Sequence, residues 1–363
     1  LGMVAWLTGD YEAALELLER ALARSSTDDP RRAAQLLNNV GLVYWARQEH
    51  GRALDCFERS LRAATAAGNR QHAGVAVGNI GNVHLDRGDY GRALDCYLQK
   101  LQCALNIGDR MELGICIGNI GTIYESQGEY GRAAACFARA LALALDLGDQ
   151  LGVGLALWSL GTAAMGEGRL DESEGLLARS AAVLGAIDAT YELCACRASQ
   201  AELAHRRGEY AAALTLLAEA LPMAEASGHA DTALRCRLLA AEGERGAGRR
   251  RAGEIAEELA RLLPSCASDE ERAAVHYTLA RVDGARAEDR AAASRLYREL
   301  HMRTPNAEYR RRYQALMGVA LPPPAPLPPL PAAVGEPPLD LAALIERVDE
   351  LVGDVGATLA RAA

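Results

Sequence analysis

Shifted by 40 residues, this chain of 363 matches itself. Gly41, Gly81, Gly121 and Gly161 share one column; Gly88, Gly128, Gly168, Gly208 and Gly248 share a second, with Gln48 the exception. His50, Tyr90, Tyr130, Leu170 and Tyr210 form a third, and Ala53, Ala93, Ala133 and Ala213 a fourth, broken by Ser173. Leu61, Leu101, Leu141 and Leu221 line up, as do Gly68, Gly108, Gly148 and Gly228. A unit this short cannot bury its own apolar face, so it must stack on its neighbours. One thick-cored domain is thereby excluded.

Each unit reads as two helices. In residues 71–110, Val77, Ile80, Gly81 and His84 recur at the three- and four-residue spacing of one helix face. Gly88 suits a left-handed cap, and Ala93, Leu94, Tyr97, Leu101, Ala104 and Leu105 form the stripe of a second helix. Glycine inside a helix costs roughly 1 kcal/mol relative to alanine. The recurrence of Gly81 and its equivalents therefore implies close backbone approach. Composition agrees: 50% of residues are apolar but only 5% aromatic, against 35 glycines.

These residues resemble the tetratricopeptide repeat. Ile80-Gly81, His84, Gly88, Tyr90, Ala93 and Tyr97 follow its pattern, and Ile120-Gly121, Tyr124, Gly128, Tyr130, Ala133 and Phe137 follow it more closely. The usual unit has about 34 residues. The longer variant is similar to the arrays of spindle-orientation scaffolds, kinesin light chains and the arms of large bacterial signalling ATPases, kinases and cyclases. The resemblance implies an all-α fold, a right-handed alpha-alpha solenoid of helix hairpins.

The resemblance is strong over residues 1–230, where the first repeat is truncated: Leu1-Gly2 corresponds to Val40-Gly41, so the first helix begins near its middle. A chain that starts on half a repeat is expected to be a piece of a longer signalling protein. Residues 231–320 read as two degenerate helix pairs, 231–263 and 271–303, and a capping helix at about 305–318. Arg310, Arg311 and Arg312 there suit an outer face, as a terminal cap requires. Pro222 is expected to kink or end its helix early. Residues 321–338 read as a linker, with nine Pro between positions 322 and 338. Residues 339–363 read as an amphipathic helix with Leu341, Leu344, Ile345, Val348, Leu351, Val352, Val355 and Leu359 on one face. That face must dock on the array, pair with another copy, or continue into a further domain.

Net charge is −9, which argues against general nucleic-acid or anionic-membrane binding. Residues 231–320 carry 17 Arg against 14 acids, too mixed for a nucleic-acid patch. Lys100 is the only lysine beside 38 arginines, as in a GC-rich, bacterial genome. No membrane span or signal peptide is visible, and nine cysteines in helical patterns suit a reduced, cytoplasmic setting. Cys56, Cys96 and Cys136 share a column and read as buried packing. Cys194-x-Cys196 does not have a zinc spacing. No phosphate loop, nucleophile elbow or His-Glu-x-x-His is present. Neither an enzyme, a metal site nor a cofactor is expected.

The functional signal is a polar stripe on the first helix of each pair. It holds Gln35 and Asn39, then Asn79 and Asn82, then Asn119 and Thr122, then Ser159 and Thr162, then Glu202 and Arg206. Leu42, Val75, Ile115 and Trp158 add apolar pockets. In the family resembled, first helices line a concave groove and asparagines clamp an extended peptide. An amide offers both donor and acceptor, so it can pair with any peptide unit. The competing reading makes these asparagines hydrogen-bond links between repeats. The expected function is a protein–protein interaction scaffold or sensor that binds a peptide or partner protein. The alternatives are a spacer that self-associates through the C-terminal helix, or the non-catalytic arm of a kinase, cyclase or ATPase.

Overall fold

A computed structural model of the chain describes residues 11–24, 29–284, 286–328 and 339–362, with side chains to residue 353. Gly2, Gly9, Trp6, the linker from 329 to 338, and the side chains of Val355 and Leu359 lie outside the described residues. All regular structure among the described residues is helical: α1 (Tyr11–Arg24), α2 (Pro30–Ala46), α3 (His50–Ala66), α4 (Arg70–Asp86), α5 (Tyr90–Ile107), α6 (Arg110–Gln127), α7 (Tyr130–Leu147), α8 (Gln150–Gly166), α9 (Leu170–Ala186), α10 (Thr190–Arg206), α11 (Tyr210–Ala226), α12 (Ala230–Gly246), α13 (Ala252–Ala260), α14 (Asp269–Val282), α15 (Ala287–Arg303), α16 (Ala307–Met317) and α17 (Leu341–Ala362), with a 3₁₀ turn at Leu263–Ser265. This is an all-α solenoid of helix hairpins. Even-numbered helices from α2 to α14 are the first helices of pairs.

The repeated dipeptides at the turns do two jobs. Gly68, Gly88, Gly108 and Gly148 take positive φ between 64° and 72° and close the helix before them. The next residue caps the helix after them: Asn69 accepts from the His72 amide at 3.1 Å, Asp149 from the Gly152 amide at 3.0 Å. The turns are two residues long after helices of 18 and three after helices of 17, so each helix and its turn span 20 residues and each pair spans 40.

The glycines inside the first helices are packing positions. A Cβ added to Gly41 would stand 2.6 Å from the Phe57 ring, one on Gly81 3.0 Å from the Tyr97 ring, and one on Gly161 2.8 Å from Leu177. Phe57, Tyr97 and Leu177 are fully buried. The second helix thus presses its largest side chain onto the bare backbone of the first. Of the cysteine column read as buried packing, Cys56 and Cys136 are buried and Cys96 is half-buried, and all nine cysteines are free.

Two compact units are present, Leu1–Ile123 and Tyr124–Ala363, with the division inside α6. In the N-terminal unit α2 touches α4; in the C-terminal unit α8, α10, α12 and α14 touch in succession. Pro222 does not end its helix, since α11 runs through it to Ala226. Ala220 and Ala224, both fully buried on either side, hold the helix by packing across the missing N–H. α17 packs on α7 and α9, burying Leu344 and Val348. Of the three outlets for its apolar face, docking on the array is the one observed. No helix among the described residues is long and apolar enough to cross a membrane.

Candidate peptide-binding surfaces

In the N-terminal unit the polar stripe divides into linked and open side chains. Asn79 Nδ2 donates to Asn38 Oδ1 at 2.8 Å, joining α4 to α2. Asn82 Oδ1 accepts from the Tyr97 hydroxyl at 2.6 Å. Thr122 donates back to the Gly118 carbonyl at 3.3 Å. Gln35 is exposed, Asn39 and Asn119 are half-buried, and none of the three makes a side-chain hydrogen bond among the described residues. Ile115, one turn before Asn119, is 47% exposed.

In the C-terminal unit the same stripe meets the chain's own charges. Ser159 contributes its carbonyl, which accepts from Thr162 Oγ1 at 3.0 Å. Arg206 donates to Glu202 at 2.5 Å and to the Met165 carbonyl at 3.2 Å. Arg235 lies 3.7 Å from Glu202 and donates to Ser199 Oγ at 2.9 Å. Glu242 receives Arg281 at 3.3 Å and His205 at 3.7 Å. α16 lies against this row: a Cβ on Gly128 would meet Ala307 at 3.1 Å, and Glu308 pairs with Arg311 and with Arg312, the latter at 2.5 Å.

Arg310 and Arg312 therefore do not stand on an outer face, while Arg311 is exposed and paired with Glu308. Arg312 donates to the Tyr297 hydroxyl at 2.7 Å and lies over the Tyr277 and Tyr297 rings, while Arg310 donates to the Leu321 carbonyl at 3.2 Å. The physical reason is pairing: Arg311 and Arg312 pair with Glu308, the field of Arg311 reaches Glu125 and that of Arg312 reaches Glu242. Burial opposes ionisation of Glu308, but Arg312 and Arg311 outweigh it and hold its carboxyl at about 2. Burial also opposes ionisation of Glu202, again outweighed, by Arg235 and Arg206. Glu125 has weaker help. Burial dominates over its bond to Thr162 and the field of Arg311, and its carboxyl is pushed up to about 7.

One arrangement had no sequence signal. Tyr124, Arg132, His301 and Arg310 converge on the carbonyls of Leu321–Pro328. Their spacing in sequence is not periodic, so no column could reveal them. The cysteines of one repeat column are poor nucleophiles: burial pushes the Cys56 and Cys96 thiols up to about 11 and Cys136 to about 12.

Tetratricopeptide-repeat family models match residues 1–66 and 71–146, and a second such model matches 119–190. The chain belongs to the tetratricopeptide repeat family. No curated protein sequence matches it. Three solved structures share the fold at low identity. The Rap conjugation gene regulator of plasmid pLS20 in complex with the Phr* peptide superposes with a TM-score of 0.63 at 12% identity, covering 80% of this chain and 78% of that one. NprR in complex with its cognate peptide NprX gives 0.62 at 14%, covering 83% and 85%. Aspartyl phosphate phosphatase F from Bacillus subtilis gives 0.58 at 12%, covering 82% and 76%.

Proposed function

We propose that this repeat chain is a regulatory binding module of bacterial signalling, which captures a peptide or an extended segment of a partner protein and makes no bond itself. The observation that carries this reading is the open amide row of the N-terminal unit. Gln35, Asn39 and Asn119 stand on first helices with both donor and acceptor free, beside exposed Ile115. Such groups suit a peptide backbone of any sequence. Two proteins of the same fold are complexed with peptides, which supports the class of ligand. A spacer that pairs copies through the tail helix is less well supported, because Leu344 and Val348 are covered within the chain.

Panning a random peptide library on the full chain, then measuring captured peptides by calorimetry, tests the reading. Asn39→Ala/Asn119→Ala should weaken binding by tenfold or more while leaving helix content intact. Peptides that bind the folded double variant at full affinity would rule the amide row out.

A further inference from the structure

Residues 321–328 read Leu-Pro-Pro-Pro-Ala-Pro-Leu-Pro and follow α16 without helix or strand. Leu321 and Leu327 are buried and Pro324 is half-buried, while the residues between them are exposed. That three-residue alternation is the period of a polyproline helix. The segment is thus seated on the C-terminal unit through one edge, with two leucine anchors and a proline between them.

The groups that hold it match its chemistry. Proline has no N–H, so a polyproline strand presents carbonyl oxygens and almost nothing to donate. The holding groups all donate. The Tyr124 hydroxyl reaches the Pro328 carbonyl at 2.7 Å, Arg132 the Leu327 carbonyl at 3.3 Å, and Arg310 Nε the Leu321 carbonyl at 3.2 Å. His301, only 2% exposed, bonds the Pro322 carbonyl through Nε2 at 2.9 Å. Its Nδ1 accepts the Asn306 amide at 3.2 Å, which places the proton on Nε2. Tyr124 is fully buried beneath Arg132, whose guanidinium lies 5.6 Å from the ring and 2.7 Å from Glu129. An asparagine clamp would leave its carbonyl unpaired against such a strand; a donor-only set leaves nothing unpaired.

We propose that Tyr124, Arg132, His301 and Arg310 form a binding site for a leucine-anchored polyproline strand of the pattern Leu-x-x-Pro-x-x-Leu. Residues 321–328 fill it in cis, and a proline-rich strand of another protein enters when they leave. The site is independent of the amide row. A short tether gives a cis ligand an effective concentration of about millimolar, so a free strand meets a strong competitor in the intact chain.

The experiment uses the full chain and a fluorescent peptide with the sequence of residues 319–329, read by anisotropy. Leu321→Asp/Leu327→Asp should release the chain's own strand and strengthen peptide binding at least tenfold over wild type. Adding Tyr124→Phe and Arg310→Ala in that background should reverse the gain. A peptide with both leucines changed to aspartate should not bind. In an otherwise wild-type chain with a fluorescent residue in place of exposed Ala325, Tyr124→Phe/Arg310→Ala or excess free peptide should lower the anisotropy of the label. Equal binding by the released and wild-type chains, with helix content intact, overturns the proposal. So does a label at 325 that neither change moves.

Discussion

Gln48 and Asp188 are the two non-glycine residues with positive φ among the described residues, at 59° and 54°. Gln48 stands in the column of Gly88, Gly128, Gly168, Gly208 and Gly248; Asp188 stands in that of Gly68, Gly108, Gly148 and Gly228. A side chain in the left-handed region costs roughly 1–2 kcal/mol, offset in part because glycine loses more freedom on folding. Gln48→Gly is therefore expected to stabilise by about 0.5–1 kcal/mol, seen as a higher urea midpoint. Asp188→Gly should gain less, because aspartate tolerates that region better. The opposite holds at Gly81, where Tyr97 and Cys96 Cβ leave no room at 3.0 and 3.1 Å. Gly81→Leu should cost about 1–3 kcal/mol through overpacking. Gly91→Leu, with nothing within 4 Å, should be neutral or stabilising. Equal melts for these two variants would show that the inner glycines are not packing positions.

At the scale of the element, the sequence displays whatever repeats and hides whatever happens once. Helix pairs, caps and the Gly41–Phe57 contact recur at one offset, so columns reveal them. The seat of α16 occurs once. Its pattern of three consecutive arginines looks like a solvated face, and only the acids from α6, α10 and α12, far apart in sequence, show otherwise. Asn79 was ambiguous for a different reason: an amide that binds a ligand and one that binds the neighbouring repeat occupy the same face. The offset of 41 that joins Asn38 to Asn79 also joins Trp158 Nε1 to Ser199 Oγ at 3.0 Å, which marks the linking position. Glu125 gives the element scale its prediction. Its carboxyl titrates at about 7 in the folded chain against an ordinary 4.5. Between those values the folded state holds a proton that the unfolded state has lost. Stability from this group is greatest below pH 4.5, falls as pH rises to about 7, and is level above. Glu125→Gln should therefore exceed wild type at pH 8 by about 1–3 kcal/mol, with little difference at pH 4.5. Glu308 runs the other way: its contribution is full above pH 4.5 and is lost as pH falls toward 2. Urea midpoints of Glu125→Gln and of Glu308→Gln, each against wild type across its own pH range, check the two signs.

For the chain as a whole, the segment after α16 decides whether the array is complete without its tail. As a plain linker and free helix, residues 321–363 would add nothing to the stability of the C-terminal unit. Instead the segment covers Tyr124 and buries Leu321, Leu327, Leu344 and Val348. Arg179 grips Asp349 through two bonds of 2.6 and 2.8 Å, and Arg347 meets Asp146 at 2.9 Å. These ion pairs are largely exposed and contribute little, under about 1 kcal/mol each. The leucines and valine matter more, at roughly 1.5–3 kcal/mol per fully buried side chain before the cost of ordering the backbone. A net loss of a few kcal/mol is the expected result of stopping the chain after Ala320. Trp158 allows the C-terminal unit to be read alone, since the other tryptophans are Trp6 and Trp45. In a Trp6→Phe/Trp45→Phe background, the truncated chain should show a lower urea midpoint by Trp158 fluorescence. It should also bind a hydrophobic dye that the full chain excludes, because the seats of Leu321 and Leu327 are then open. Coincident midpoints and no dye binding would mean that the tail merely rests on the array. The same truncation separates the two peptide surfaces: it should free the donor set on the C-terminal unit for a proline strand and leave ligand capture by Asn39 and Asn119 unchanged.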